Sequence, residues 1–490
     1  MRWTGPCLLS LALWLNGLVG GAAPRPAQSN NPAAGRPNLV FILADDLGWR
    51  DTGLYGSTFL ETPNIDRLAQ RGMMFAQAYA APLCSPTRAS IMTGLHPARL
   101  GMTSASGHLP EEVLKQSLRV GAQPTHKARQ ADSVTRLSSD YFTLAEALKE
   151  AGYVTGHFGK WHLGRAPYDP RRRGFDVDVP HWFGPGPAGG YLAPWQFPNF
   201  QGEPGEHIED RMAAEAEKFL RANKDRPFYL NYWAFSVHAP WGAKPSLIQK
   251  YRAKADPKNP QRNPVYGAMV QSLDEAVGRI TRTIDELGLA ERTILIFSSD
   301  NGGVHFRELD GAPMTSNAPL RAGKATVYEG GTRTPLVVIW PGVVRPGSRS
   351  DQLVSGVDFY PTILELVGRR PKAGQTFDGL SIIPALKGGT LPRDTVFCHF
   401  PHYTPATGNT PATYVRKGDW KLIRYYADNE DQTDRHELYN LKDDVGEADN
   451  LAGRRPDKVK ELSERIDGFL RHTKAVVPKP NPDYQPPARR

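Results

Sequence analysis

Apolar residues follow two patterns along this chain. In the first, every position of a short run is apolar. "NLVFILADD" (38–46) is such a run and stops at two aspartates. "TILIFSSDNGG" (293–303) repeats the design and ends at Asp300, Asn301 and a glycine turn. "PFYLNYWAFSVHAP" (227–240) reaches His238, and "TPLVVIWPG" (334–342) is a fourth. Unbroken apolar runs of this length belong to strands buried on both faces, as in parallel sheets. In the second pattern, apolar residues recur every third or fourth position. "PNIDRLAQRG" (63–72), "TLAEALKEAG" (143–152) and "YGAMVQSLDEAVGRITRTIDELGL" (266–289) predict amphipathic helices, several closed by glycine. Alternation of the two predicts an α/β fold: a large, mainly parallel or mixed central sheet flanked by helices.

Beyond about residue 390 the pattern changes. "TVFCHF", "TYVRKG", "DWKLIRYY" and "HELYNL" read as short strands between turns, and 456–472 as a helix. This predicts a small C-terminal antiparallel sheet with one helix, over 390–475, after a large α/β domain over 37–389. Residues 476–490 are Pro-rich and predict an extended tail. At the other end, Arg2, the apolar run Leu8–Val19 and the small residues to Ala23 predict a signal peptide over 1–23, followed by a linker at 24–36. The run is shorter than the roughly 20 residues of a membrane span. Export to the periplasm or the outside is expected, without stable membrane insertion. The polar insert 101–140 reads as a substrate loop or as disorder.

Composition narrows the class. With 490 residues, 40% of them hydrophobic and 23% charged, the chain can bury a large core and is neither disordered nor collagen-like. The net charge is +9, but the basic residues are scattered and no nucleic-acid motif is present. No nucleic-acid partner is expected; an exported basic surface suits polyanions such as sulfated polysaccharides. Of the three cysteines, Cys7 would leave with the signal. Cys84 and Cys398 remain, and a disulfide between them is the plainest reading.

In parallel sheets, ligands bind at the carboxyl ends of the strands. Asp45, Asp46, Asp300 and Asn301 stand at two such ends. Crowded carboxylates repel unless a cation joins them, and all-oxygen donors favour Ca²⁺ or Mg²⁺. In "GKWHLG" (159–164), Lys160 and His162 share one face of an extended segment. Lys324 lies in a Gly-rich loop, and with Arg88 and Lys160 it would cradle a tetrahedral anion. His162 and His238 are candidate proton carriers. In "LCSPTRASIMTG" (83–94), Ser85 suits a helix cap and Pro86 a first turn. A helix starting there directs N–H groups at an anion and would depress the Cys84 thiol pKa. By itself this points to a thiolate nucleophile.

"CSPTRASIMTG" is similar to the Cys-x-Pro-x-Arg signature of the type I sulfatases, members of the alkaline-phosphatase-type superfamily. The resemblance continues in order through "NLVFILADDLGW", "GKWHLG", the strand to His238, "SSDNGG", "PLRAGKATVYEGGTRTPLVVIWPG", "DFYPT" and "HELYNL". It implies a sulfuric ester hydrolase in which Cys84 is oxidised to Cα-formylglycine by a formylglycine-generating enzyme. It implies one Ca²⁺, Mg²⁺ being less suited, held by Asp45, Asp46, Asp300, Asn301 and the modified Cys84. Arg88 and Lys160 would steady the modified residue. Lys324, His238 and Lys160 would bind sulfate, with Lys324 or His238 protonating the leaving alcohol. Asp300 would assist the attack, and His162 would be the base that releases sulfate. The serine expected to hold the aldehyde hydrate has no secure counterpart. A sulfated saccharide is the expected substrate, with Trp182, Tyr191, Trp195, Trp241, His399, His402 and Tyr403 as candidate sugar contacts. A phosphate or phosphonate ester hydrolase on the same scaffold is one alternative. A non-catalytic glycan-binding protein with unmodified Cys84 is the other.

Overall fold

The structure is a computed structural model and describes residues 35–486. The predicted signal peptide and most of the linker lie outside the described residues. Strand β1 (Asn38–Ala44) is buried at every position. Val40, Ile42 and Ala44 enter the core on one face; Leu39, Phe41 and Leu43 enter the core on the other. Side chains of a strand alternate between faces, so an unbroken apolar run serves two cores at once.

The other strands of this sheet are β2 (Met73–Tyr79), β3 (Val154–Gly159), β4 (Val177–Val179), β5 (Phe228–Trp233), β6 (Thr293–Ser299), β7 (Arg333–Ile339), β8 (Ser348–Ser350) and β9 (Val354–Ser355). Their order is β8-β2-β7-β6-β1-β5-β3-β4, with β9 also on β2. β1 pairs in parallel with β5 (Leu39 opposite Tyr229) and with β6 (Leu39 opposite Ile294). β7 pairs antiparallel with both neighbours, and every other pair is parallel. All strands but β7 therefore direct their carboxyl ends to one edge. β7 starts at that edge, so the loop before it arrives there too.

The helices α1 (Pro63–Arg71), α2 (Cys84–Thr93), α3 (Leu144–Glu150), α4 (Ile208–Ala222), α5 (Pro264–Glu286) and α6 (Phe359–Leu366) cover the sheet. One face is closed by Ile65 and Leu68 of α1, Met212 of α4 and Leu273 of α5. The other is closed by Ile91 and Met92 of α2, Leu148 of α3 and Ile363 of α6.

The small sheet is a meander of β10 (Thr395–Phe400), β11 (Ala412–Lys417), β12 (Trp420–Tyr425) and β13 (Arg435–Asn440). Helix α7 (Pro456–Thr473) lays Leu462, Ile466 and Leu470 on Val415, Leu422 and Leu438. The opposite face, with Cys398, Phe400, Tyr414 and Ile423, packs on Val327. The small sheet thus docks on the loop that carries Lys324.

Two expectations are corrected by the fold. Cys84 and Cys398 are each free and buried, so they form no disulfide. Ser85 is not the helix cap: Leu83 is, without a capping side chain, and Ser85 Oγ donates to His162 O at 2.8 Å. The Pro-rich segment after 476 is extended at Lys479–Pro480, which pairs antiparallel with Ala128–Arg129 in the 101–140 insert.

Candidate active site

Asp45 and Asp46 leave the end of β1, and Asp300 and Asn301 leave the end of neighbouring β6. Asp46 has a φ of 64°, which turns its carboxylate back over the sheet edge. Its N–H donates to Asp300 Oδ1 at 3.1 Å, and Asn301 Nδ2 donates to Asp46 Oδ1 at 2.9 Å. Gly302 lets the next turn close: a Cβ there would stand 1.8 Å from Gly330 O. That contact brings the Asp300 loop against the Lys324 loop.

The cations enter from three further elements. Arg88, fully buried on α2, donates through Nε to Asp300 Oδ2 at 2.9 Å and through Nη1 to Lys160 O at 2.7 Å. Its guanidinium lies over the Trp233 ring at 5.1 Å. Lys160, just past β3, donates to Asp45 Oδ2 at 2.6 Å. Lys324 donates to Asp46 Oδ2 at 2.7 Å, and His238 Nε2 lies 3.8 Å from the same oxygen. Cys84 Sγ stands 3.2 Å from His162 Nδ1, and ligand atoms of Asp45, Cys84 and Asp300 lie within 4.8 Å of one another. Asp45, Asp46 and His238 form a second such group.

Two buried oxygens here have no hydrogen-bond partner, Asp45 Oδ1, which has only Arg88 Nη2 at 3.7 Å, and Asn301 Oδ1. An orphaned buried acceptor is costly, and a divalent cation would satisfy both. The donor set is all oxygen apart from the Cys84 position, which fits Ca²⁺ or Mg²⁺. Burial pushes the Asp45 carboxyl well above its usual range. Burial raises Asp46 too, but Lys324, His238 and Lys160 outweigh it and hold that carboxyl low. Burial, reinforced by neighbouring cations, drives both His162 and His238 well below the ordinary imidazole value. The Cys84 thiol moves opposite to the helix-dipole expectation: burial raises it despite Lys160 and Lys324.

Periodicity carries no sign of several supporting groups. His108, in the irregular insert, sits with Nδ1 2.7 Å from His162 Nε2. It reaches that place because Gly107 packs where a Cβ would stand 1.9 Å from His162 O. Glu209 of α4, fully buried, accepts from Phe235 N (2.9 Å), Ser236 N (2.8 Å) and Tyr232 OH (2.7 Å), and so fixes the turn to His238. A Gly-His pair and a lone Glu in a helix carry no pattern that marks them.

Among the candidate sugar contacts the placement is uneven. His399 is buried, bonded to Thr413 Oγ1 (2.7 Å) and Val476 O (3.2 Å), and is not brought to the Cys84 group. Tyr191 is buried and donates to Phe235 O and His238 O, holding the His238 turn. Trp195 is buried against Phe200; Trp182 and Trp241 are half-buried. His402 Nε2 is 2.8 Å from Thr103 Oγ1, and with Tyr403 it lines a cleft of about 710 Å³. That cleft includes Leu83 and Ala325, the chain neighbours of Cys84 and Lys324.

The family model for Sulfatase matches residues 37–369, more than half of the chain. The chain belongs to the sulfatase family. A second model, for the C-terminal part of N-sulphoglucosamine sulphohydrolase, matches 322–474. This sulfatase is 35% identical to the N-acetylgalactosamine-6-sulfatase of Canis lupus familiaris over 79% of its own chain and 71% of that one. It is 32% identical to a sulfatase of Formosa agariphila, covering 91% and 90% of the two chains. It is 33% identical to human arylsulfatase A, covering 85% and 83%. Among solved structures, Ps i-CgsB in complex with a neocarrahexaose matches with a TM-score of 0.72 at 26% identity, over 92% of this chain and 94% of that one. The protein is a sulfuric ester hydrolase. No helix among the described residues is long and apolar enough to cross a membrane.

Proposed function

We infer that this sulfatase hydrolyses a sulfate ester on a saccharide, with Cys84 carried as formylglycine and one Ca²⁺ at the four oxygen donors. The observation that carries this reading is the meeting of Asp45, Asp46, Asp300 and Asn301 with Arg88, Lys160 and Lys324 around Cys84 at one sheet edge. When bound, calcium supplies positive charge that polarises a sulfate oxygen, and formylglycine supplies, as its hydrate, an oxygen nucleophile with a second hydroxyl on the same carbon. Asp45, Asp46, Asp300 and Asn301 are the residues that would hold the ion.

The chain's own groups do the rest. Arg88 is locked by Asp300 and Lys160 O and places a fixed charge beside residue 84. Lys160 and Lys324 bind sulfate oxygens from two sides, a preorganised cationic cradle in a water-poor site. His238, held by Tyr191 and Glu209 through its turn, shares the leaving side with Lys324; one of the two delivers the proton to the departing alcohol. His162, neutral and backed by His108, accepts a proton at Nδ1, the atom that faces residue 84. Residues 1–23 act as an export signal to the periplasm or beyond, and a formylglycine-generating enzyme acts on the Cys84 segment. The saccharide assignment is supported by the activity for which the N-acetylgalactosamine-6-sulfatase relatives are named and by the hydroxyl-rich cleft beside Leu83.

The test has two parts. Mass spectrometry of the Cys84 peptide from chain made together with the modifying enzyme should find the aldehyde in place of the thiol. Turnover of 4-nitrophenyl sulfate should exceed that of 4-nitrophenyl phosphate and vanish in Cys84→Ala. Unmodified thiol in an active chain, or a preference for phosphate, would overturn the reading.

A further inference from the structure

The cleft beside the nucleophile has two walls. One is the insert, through Ser117, Arg119, Gln130 and Asp132; the other is the small domain, through His402 and Tyr403. The insert wall has little regular structure of its own: an isolated antiparallel bridge of Leu118 to Ala131, with Arg119 N donating to Gln130 O at 3.0 Å and Asp132 N to Ser117 O at 2.8 Å, and the two-residue strand at Ala128–Arg129. So short a ladder leaves the stretch 120–129 to be held by a partner.

That partner is the C-terminal segment. Lys479 and Pro480 pair with Arg129 and Ala128. Asn481 is fully buried. Its N–H donates to Lys127 O at 2.8 Å, and its Nδ2 to His126 O at 2.8 Å and Gln123 O at 3.2 Å. Gln485 N donates to Pro124 O at 2.8 Å. Gln432 Nε2 joins the two chains by donating to Lys127 O (2.7 Å) and Asn481 O (2.8 Å). The strand so fixed reaches the cleft directly. His126 stacks on Tyr403 at 3.9 Å and 18°. Ala128 N donates to Tyr403 OH, and Tyr403 N to Gln130 Oε1, both at 2.9 Å. Arg119 pairs with Asp132 at 2.8 Å, so this wall presents hydroxyls, an amide and a neutralised ion pair. Those groups suit the neutral hydroxyls of a sugar ring, and the sulfate itself goes to the cationic cradle.

We propose that residues 479–485 are a strap that sets substrate specificity: by clamping the insert they hold Tyr403 and Gln130 in place to bind the saccharide that carries the sulfate. This rests on the saccharide reading above. Tyr403 and Gln130 bind the sugar; Asn481 and Gln432 are positioning residues. A small aryl sulfate engages only the cradle and does not use the strap.

The test compares wild type, Asn481→Ala, Gln432→Ala and a chain ending at Pro478, all made with the modifying enzyme. Each is assayed on 4-nitrophenyl sulfate and on a panel of sugar sulfates that includes N-acetylgalactosamine 6-sulfate. KM for the sugar sulfates should rise about tenfold or more, the loss of one to two hydrogen bonds to a bound group, with kcat little changed. The kinetics on 4-nitrophenyl sulfate should stay as in the wild type, which also shows that the variants fold. Equal effects on both kinds of substrate, or none on either, would overturn the strap. A wild type that turns over the aryl sulfate and no sugar would overturn the saccharide reading instead.

Discussion

At the scale of single residues, the site is a balance of buried charge. Three aspartates and an asparagine face Arg88, Lys160 and Lys324 in a region closed to water, so each group depends on its partner. His162 is the clearest case, because one ring nitrogen faces Cys84 and the other faces His108. An imidazole fixed from behind keeps its tautomer and orientation. We expect His108→Ala to lower kcat about 10- to 100-fold, the usual cost of losing such a supporting group. KM for 4-nitrophenyl sulfate should hardly move, and His108→Asn should recover part of the rate. Steady-state kinetics decide it; an equal change in kcat and KM would argue against a positioning role. The orphaned oxygens of Asp45 and Asn301 give a second expectation. Calcium at about 100 times its dissociation constant adds ~2.7 kcal/mol to the fold, which for a chain of this size raises the melting temperature by about 3 °C. Chelator should reverse the rise, and Asp46→Asn should abolish it, in calorimetry that reads no activity.

At the scale of elements, the small sheet is bolted to the Lys324 loop by buried charge. Lys421 of β12 contacts Glu329 at 3.0 Å and Glu447 at 2.8 Å, and Glu447 Oε2 accepts from Glu329 N at 2.7 Å. Removing that cation takes from Glu447 its buried ion-pair partner, while Glu329 keeps Arg333, Arg416 and the Tyr79 hydroxyl, so Lys421→Met should destabilise by about 3 kcal/mol in urea titrations. The two glutamates divide the load. Burial acts on both, but Lys421, Arg416 and Arg333 hold Glu329 down to about 2. Burial and the charge of Glu329 raise Glu447 to about 7. Glu447 is therefore protonated in the fold at a pH where the unfolded chain has released that proton. Its contribution is complete below about pH 4.5 and is lost as pH rises through 7, at no more than ~1.4 kcal/mol per pH unit. Glu447→Gln should remove that downward slope between pH 4.5 and 7. A variant with the wild-type slope would show that another group causes it.

At the scale of the whole molecule, acid should act through buried neutral histidines. Burial lowers His157, His399 and His402 each to about 3. The unfolded chain takes up these protons first, near pH 6.5, so stability is complete above that value and falls as pH drops towards 3. His162, His238 and His207, lowered by burial in the same way, add to this trend, against the raised carboxyls of Glu447, Asp45 and Asp274. The urea midpoint should therefore fall steadily from pH 7 to pH 5, and His399→Gln should make the fall shallower. A His399→Gln profile as steep as that of the wild type would contradict the placement of that ring. His399, which looked in the sequence like a sugar contact, belongs to this structural set: it ties β10 to β11 and to the chain after α7.

The sequence by itself determined the sheet and which polar residues stand at its carboxyl edge. Apolar runs such as 38–44 and 293–299 must be buried on both faces, and strand–helix alternation makes their carboxyl ends meet. Asp45, Asp46, Asp300 and Asn301 are consequently legible from position alone, and the Cys84 segment from its motif. The tertiary structure alone decided what has no local period. It brought His108 to His162 through a glycine contact, set Glu209 under the His238 turn, and made Lys421 the partner of two glutamates far along the chain. It also separated Cys84 from Cys398 and laid the Pro-rich end across the insert. Local pattern reports which face of an element is buried. Which buried polar groups meet depends on packing between elements distant in sequence, where burial makes each unpaired group costly enough to demand a partner.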